Sequence, residues 1–340
     1  MSTPTLRFSV VIPTTGSEAK LLPLLDGLAR QAFPRSCFEI IVVFDGAAPS
    51  PAVAMRMESL GARAVRLEPR SGPPIARNRG AAVARGEFLV SADDDIVPEA
   101  GWLANADRRL AVEPHLDVLE GITKKPGVQP VRIRGDESLQ YILCNLFVRR
   151  SLFEKIGGFQ TGYYDARNGA FFREDADLGY SLELAGARIG RDESVVVEHP
   201  IEHPRFLDPL RWAKRYEMDA LLRTRFPHRF RERIEVHFLG PFRIRRPIVR
   251  ACFAYVAGFS GALICALTRQ AQPAWLCFGL TGLAFLPVWA KWRFEVRRLP
   301  VFLLVPFVLV WSYLLGFTRL RSLGASRLEA AGTDGMRPLP

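Results

Sequence analysis

The chain has 340 residues, 49% hydrophobic and 24% charged, a balance that excludes a disordered or fibrous protein and gives room for one large α/β domain plus an appendage. A formal net charge of +11 calls for a polyanionic neighbour: nucleic acid, anionic lipid or a phosphorylated substrate. Five cysteines without Cys-x-x-Cys or Cys/His spacing exclude a zinc module and read as small buried hydrophobes of a reducing compartment.

The first residues lack the charged-then-apolar pattern of a signal peptide, so the N-terminal domain is expected in the cytoplasm. Phe8 to Pro13 is an apolar run stopped by proline and predicts a buried strand. A loop around Gly16 follows, and Leu21, Leu22, Leu24, Leu25 and Leu28 then recur at helical spacing. Glu39 to Phe44 predicts a second buried strand, ending at Asp45-Gly46. A helix is expected around Pro51–Leu60, a strand at Ala64–Leu67, a helix over Ile75–Ala84 and a strand over Glu87–Ser91. That last strand runs into Asp93-Asp94-Asp95. Strands alternating with helices predict a mostly parallel sheet covered on both faces, which binds ligands beyond the carboxyl ends of its strands. Both Asp45 and the Asp93–Asp95 run fall at such ends.

Residues 118–204 read as mixed. They hold a strand at Asn145–Val148, a short helix at Ser151–Ile156, a longer helix over Glu174–Ala185 and a strand at Val195–Val197 ending on His199-Pro200. The segment 205–246 is basic and is expected to be an interfacial helical segment. Beyond Pro247 the character changes. Ile248–Leu267 carries one charge, while Ala274–Ala290 and Leu299–Phe317 carry none, so all three approach the length of a membrane span, the alternative being three buried helices of a soluble domain. The connector 291–298 holds Lys291, Arg293, Arg297 and Arg298, whereas Thr268–Gln272 holds only Arg269. The positive-inside rule therefore makes the first two runs a hairpin with its basic connector in the cytoplasm. The third run is ambiguous: its tail, with Arg319, Arg321 and Arg327, is also basic, so it either spans or lies in the interface. Arg243, Arg245 and Arg246 abut the first apolar run and fit anionic headgroups better than nucleic acid. The expected organisation is a catalytic domain over 1–204, the basic segment 205–246, a membrane region over 247–318 and a basic flexible tail over 319–340.

Three successive carboxylates at a strand end repel one another unless a cation holds them. A hard divalent ion that also takes diphosphate oxygens does so, and alternation puts Asp93 and Asp95 on one side. The alternative is a solvated acidic turn. Asp45, one residue before a glycine, either accepts hydrogen bonds from a base or ribose or closes an Asp-Gly turn. Glu174-Asp175-Ala176-Asp177 opens a helix. Either it complements the helix dipole or Asp175 serves as a general base for an acceptor hydroxyl. His199 either completes a metal site or is structural, with His203 the weaker competitor.

In order, Val10-Val11-Ile12-Pro13-Thr14, Val42-Val43-Phe44-Asp45-Gly46, Ala76-Arg77-Asn78-Arg79-Gly80, Gly86 to Asp95, Gly157-Gly158-Phe159 and Glu174 to Gly179 resemble a family 2 glycosyltransferase with the GT-A fold. The resemblance covers about residues 7–204. It implies that Pro13, Thr14 and Thr15 border the nucleotide of a nucleotide-diphosphate sugar, with Glu18 nearby, and that Asp45 contacts the base. It places Arg77 and Asn78 near the ribose or diphosphate. Asp93 and Asp95 would form an Asp-x-Asp motif with Asp94 between them, Asp95 binding Mg²⁺ or Mn²⁺ together with Asp93 and His199. Asp175 would be the base, Glu174 would lie on the acceptor side, and the anomeric carbon would invert. Gly16-Ser17 departs from the family's first loop. Processive members carry Gln-x-x-Arg-Trp; here Asp208-Pro209-Leu210-Arg211-Trp212 keeps only Arg211 and Trp212 at the acceptor side, which favours transfer of a single sugar. The expected partners are a nucleotide-sugar donor, a lipid-linked or envelope glycan acceptor and the inner membrane, with no nucleic acid. A sugar nucleotidyltransferase and a non-catalytic membrane scaffold on the same fold are the alternatives. The first lacks its glycine-rich loop here, and the second would have lost the carboxylates.

Overall fold

The computed structural model describes residues 6–124, 141, 143–166, 169–200, 205–239 and 242–331, with side chains described outside 237–244 and 321–331. His203 and the side chains of Arg243, Arg321 and Arg327, all named above, lie outside the described residues. The chain divides into two units, Met1–Glu202 and His203–Gly335.

The first unit runs β1 (Phe8–Thr14), α1 (Glu18–Ala29), β2 (Phe38–Asp45), α2 (Pro51–Ser59), β3 (Arg63–Leu67), α3 (Pro73–Ala82), β4 (Phe88–Ser91), β5 (Val97–Pro98) and α4 (Trp102–Val112). It continues through β6 (Val118–Lys124), β7 (Leu146–Arg149), α5 (Arg150–Lys155), the small pair β8 (Tyr164–Asp165) and β9 (Ala170–Phe171), α6 (Glu174–Leu184) and β10 (Ile189–Glu198). Eight strands form one sheet in the order β3-β2-β1-β4-β7-β6-β10-β5. The β3-β2-β1-β4 half is parallel, while β7 runs antiparallel to both β4 and β6. The mixed, mostly parallel sheet expected from the alternation of elements is therefore present.

Every residue of β2 is buried, as expected of a central strand covered on both faces. Phe8, Val10, Ile12, Ile40, Val42 and Phe44 point to one face and pack with Leu21, Leu24, Leu25 and Leu28 of α1, Val53 and Met57 of α2, and Trp102 and Leu103 of α4. Val11, Ile41 and Val43, one residue out of phase, meet Ala76 of α3 on the other face. Gly80 permits that approach, since a Cβ there would lie 2.4 Å from Val11 Cγ1. On the same face Leu89, Leu146 and Val148 pack with Phe153, Phe159, Leu178 and Leu182, which seats α5 and α6.

The second unit holds α7 (Asp208–Lys214), α8 (Asp219–Arg225), the single turn α9 (Pro227–Arg229), the hairpin β11 (Val236–Leu239) and β12 (Phe242–Arg245), α10 (Pro247–Leu267), α11 (Ala271–Lys291) and α12 (Leu299–Ala331). The helical segment expected over 205–246 thus ends in a β-hairpin. Residues 236–238 and 242–245 alternate apolar with polar at period two, and Gly240-Pro241 in the sequence opposes a continuing helix. Similarly, helix replaces the expected tail as far as Ala331. Among the described residues, Pro247–Leu267, Ala271–Lys291 and Val296–Leu320 are long and apolar enough to cross a membrane. Their common core joins Val249, Cys252 and Tyr255 to Phe285, Val288, Phe302, Val305 and Leu309, with Ala213 of α7 against them. Beside this core Asp219 and Arg246 form a buried ion pair, the guanidinium ringed by Tyr216, Phe230 and Tyr313 at 5.6, 5.3 and 5.1 Å.

Candidate active site

The parallel neighbours β2, β1 and β4 end side by side at Asp45, Thr14 and Ser91, so the loops after them share one end of the sheet. The turn after β4 carries Asp93, Asp94 and Asp95, and each carboxylate has a partner from a different element. Arg77 of α3 donates through Nη2 to Asp93 Oδ1 at 2.6 Å. The Thr14 hydroxyl of β1 donates to Asp94 Oδ2 at 2.6 Å. Lys20 Nζ of α1 donates to Asp95 Oδ2 at 2.8 Å. Burial pushes the Asp94 carboxyl up, opposed by the Thr14 hydrogen bond.

His199 reaches this turn from the other half of the sheet. Its neighbour Glu198 closes β10 by pairing antiparallel with Val97, two residues beyond Asp95. That register brings His199 Nε2 to 3.4 Å from Asp95 Oδ1. Asp93, Asp95 and His199 each offer a ligand atom, all within 4.8 Å of one another. Two carboxylates and an imidazole fit a divalent ion of the Mg²⁺ and Mn²⁺ class, the imidazole favouring the latter.

The opening of α6 faces the same cluster. Glu174 is 6% exposed, and its carboxyl is pushed up to about 7, chiefly by burial and then by the charge of Asp175, with Arg77 opposing. Its Oε2, the Nε and Nη1 of Arg77 and the Ser91 hydroxyl are buried polar atoms without a hydrogen-bond partner. Buried polar groups ordinarily find partners, so this group marks the place where a polar ligand or water belongs. Asp175 is half-buried, and one of its oxygens accepts from Ala176 N at 2.7 Å. The first turn of α6 is anchored by Tyr163, whose hydroxyl donates to the buried Asp177 at 2.8 Å.

Asp45 is 4% exposed, and its two oxygens accept from Ser71 N at 2.6 Å and Gly72 N at 2.8 Å. It therefore shapes the loop entering α3. Gly72 has φ +90, and a Cβ there would enter the Tyr164 ring. Asn78 is similarly committed to backbone, clamping Phe159. Pro13 is half-buried at the end of β1, and Thr15 and Glu18 are exposed just beyond it, Glu18 accepting from the Ser50 hydroxyl at 2.5 Å.

The structure thus brings together Thr14, Arg77, Asp93, Asp94, Asp95, His199 and Glu174. Arg211 and Trp212 belong to the second unit. Arg211 is exposed and pairs with Asp208 at 3.2 Å. Trp212 packs edge-on against Tyr216 and Trp292 at 4.9 and 5.2 Å, with Lys291 Nζ 4.5 Å above its ring. Lys20 is the site residue that sequence reading missed. The available signal was a cation in the first turn of a helix, where the dipole disfavours it unless acids stand opposite.

The family model described as Glycosyl transferase family 2 matches residues 9–177. Poly(ribitol-phosphate) beta-N-acetylglucosaminyltransferase TarS of Staphylococcus aureus is 35% identical over 126 residues, which cover 36% of this chain and 22% of that protein. Glycosyltransferase AglE of Haloferax volcanii is 25% identical over 206 residues, 55% of this chain and 67% of that protein. Among solved structures, S. aureus TarS 1-349 in complex with UDP-GlcNAc superposes with a TM-score of 0.51 at 20% identity, covering 79% of this chain and 89% of that one. Mannosyltransferase PcManGT from Pyrobaculum calidifontis, in complex with GDP-Man and Mn²⁺, superposes with a TM-score of 0.52 at 16% identity, covering 91% and 87%. At these identities the likeness to the solved structures is one of fold.

Proposed function

With residues 9–177 belonging to glycosyl transferase family 2, we propose that the protein transfers a single sugar from a nucleotide-diphosphate sugar to a membrane-borne acceptor, with inversion and with help from a divalent cation. The observation that carries this reading is the position of Arg77, which is buried, bonded to Asp93 and adjacent to Glu174, with two guanidinium nitrogens still unpartnered. A donor diphosphate or sugar hydroxyl satisfies those nitrogens at the point where the acidic turn and the start of α6 converge.

Asp93, Asp95 and His199 would hold the cation. When bound, it supplies charge neutralisation for the departing diphosphate. Thr14, Thr15 and Pro13 border the nucleotide, and Asp45 contributes to the base side through the loop it orders. The acceptor hydroxyl oxygen attacks the anomeric carbon, the bond from that carbon to the diphosphate oxygen breaks, and the hydroxyl proton passes to the Asp175 carboxylate. Glu174, adjacent and protonated over part of the neutral range, is suited to donate a hydrogen bond on the acceptor side. Arg211 and Trp212 contribute less to this reading, since Trp212 is engaged in packing.

The three apolar helices favour an acceptor at the membrane, lipid-linked or part of an envelope glycan. The basic connector 291–298 favours the inner membrane with the catalytic unit in the cytoplasm. The test is thermal stability of the purified chain against UDP-, GDP-, dTDP- and CMP-sugars, with and without Mn²⁺ or Mg²⁺. A metal-dependent rise with one nucleotide class supports the transferase and names its donor. Folded protein that responds to none of them replaces it with the non-catalytic scaffold.

A further inference from the structure

Although α12 is long and apolar enough to cross a membrane, its contacts follow a different path. On the reading above, α10 and α11 form a membrane hairpin. Its base is marked by Arg246 and Pro247 at one leg and by Lys291 and Trp292 at the other. Near its start, α12 stacks Phe302 on Trp292, ring centroids 5.1 Å apart at 20°. Its middle meets the middle of α10, with Phe307 5.7 Å from Tyr255 and 5.3 Å from Phe259. Further along it comes back to the base. Tyr313 lies 5.9 Å from Phe253 and 5.1 Å from the Arg246 guanidinium. Gly316 lies so close to the Arg215–Met218 turn that a Cβ there would be 2.3 Å from Glu217 O, and Arg319 forms an ion pair with Glu217.

Phe302 and Arg319 are separated by about 25 Å of helix at 1.5 Å per residue. In a helix crossing alongside the hairpin they would sit at opposite membrane faces. Here both touch elements at the hairpin's base, and Pro306 lies between them. The far end of the hairpin, with Leu263, Ile264, Leu267, Trp275, Leu276 and Phe278, is exposed.

We infer that α12 enters and leaves the membrane on the same side, as a helix embedded in the cytoplasmic interface, and that its partner is that leaflet. Leu303, Leu304, Trp311 and Leu314 form its exposed apolar stripe and meet acyl chains. The stripe's flanks, Arg297-Arg298 and Arg319, then lie at one headgroup layer, and so does the rest of the basic tail in the sequence. A spanning α12 would carry that tail to the opposite side, against the positive-inside rule.

The test uses the full chain in a bacterial host with two reporters, green fluorescent protein, which fluoresces only in the cytoplasm, and alkaline phosphatase, which is active only outside it. Each is fused after Pro340, inserted after Arg269 between α10 and α11, or fused before Met1. The inference expects fluorescence at both chain ends and phosphatase activity only at the insertion. Phosphatase activity after Pro340, with a fluorescent N-terminal fusion, makes α12 a span and overturns the inference. Cytoplasmic reporters at all three positions overturn the hairpin reading itself, and the inference with it. Where a fusion is silent with both reporters, protease digestion of a C-terminal epitope in right-side-out and inverted vesicles decides. Cleavage confined to inverted vesicles supports the inference, and cleavage confined to right-side-out vesicles overturns it.

Discussion

Asn78 and Phe159 exchange two hydrogen bonds: Asn78 Nδ2 donates to Phe159 O and Phe159 N donates to Asn78 Oδ1, each at 2.8 Å. This clamp ties α3 to the Gly157-Gly158-Phe159 loop, and the Phe159 ring lies 5.6 Å from the guanidinium of Arg77. Asn78→Ala strands the N–H and C=O of a buried residue, at a cost of about 1–3 kcal/mol. We expect a lower melting temperature and weaker donor binding, with turnover recovering at saturating donor. Asn78→Asp is no rescue, because it sets a carboxylate against the Phe159 carbonyl. An unchanged melting temperature for Asn78→Ala would dismiss the clamp.

Asp95 and Asp175 are expected to fail in different ways. Asp95→Ala removes the carboxylate shared by Lys20 and His199, so the metal-dependent stabilisation by donor should vanish together with turnover. Asp175→Asn keeps the shape of the α6 opening. Donor affinity should then stay within about twofold while turnover falls by about a hundred- to ten-thousandfold, the range for loss of a general base. Calorimetric donor binding read beside single-turnover rates separates the two. Equal loss of donor affinity in Asp175→Asn would make that residue part of the donor site.

The centre of the sheet was legible because β1, β2 and β4 are largely apolar runs, and the acidic turn because three carboxylates at a strand end demand a cation. His199 was placed beside Asp93 and Asp95 only by the family resemblance, since the contact depends on two-residue β5 turning antiparallel against β10, some hundred residues apart in sequence and without local signal. Asp45 and Asn78 show the opposite limit. Their motif positions were recognised, yet only the structure reveals that each holds backbone. The hairpin at 236–245 was hidden by the basic composition around it, although its alternation was there to be counted.

Glu174 gives the site a pH signature. Its carboxyl titrates at about 7 when folded, against an ordinary value of 4.5, because burial disfavours the charge. Between those values the folded state holds a proton that the unfolded state has released, so stability falls as pH rises through that window and levels off above 7. The accumulated loss is about 3 kcal/mol. Glu174→Gln should therefore melt like the parent near pH 4.5 and above it at pH 8. Parallel curves for the two proteins across that range would show Glu174 ionising normally.

In the second unit the buried pair of Asp219 and Arg246 carries the comparable risk. Asp219→Ala leaves a guanidinium among Tyr216, Phe230 and Tyr313 without a counter-charge, which destabilises by about 3–5 kcal/mol. Asp219→Ala combined with Arg246→Met removes both charges and should recover most of that loss. Detergent-solubilised melting of the single and double variants measures it. A double variant no better than the single one would mean that the site's packing, rather than its charge, is at stake.

The place to divide the chain follows from the same packing. Leu210, Trp212, Ala213 and Tyr216 of the basic segment share one core with Val249, Val288 and Phe302, so α7 and its following turn fold with the apolar helices. A chain cut after Arg246 would expose that surface and leave Arg246 without Tyr313, so we expect it to aggregate or pellet with membranes. A chain ending at Glu202, the limit of the first unit, keeps the sheet, the acidic turn, His199 and α6. It should remain in the supernatant and retain the metal-dependent response to nucleotide-sugar. Were the longer piece soluble and monodisperse instead, the segment 205–246 would be an independent element and its packing against α12 dispensable.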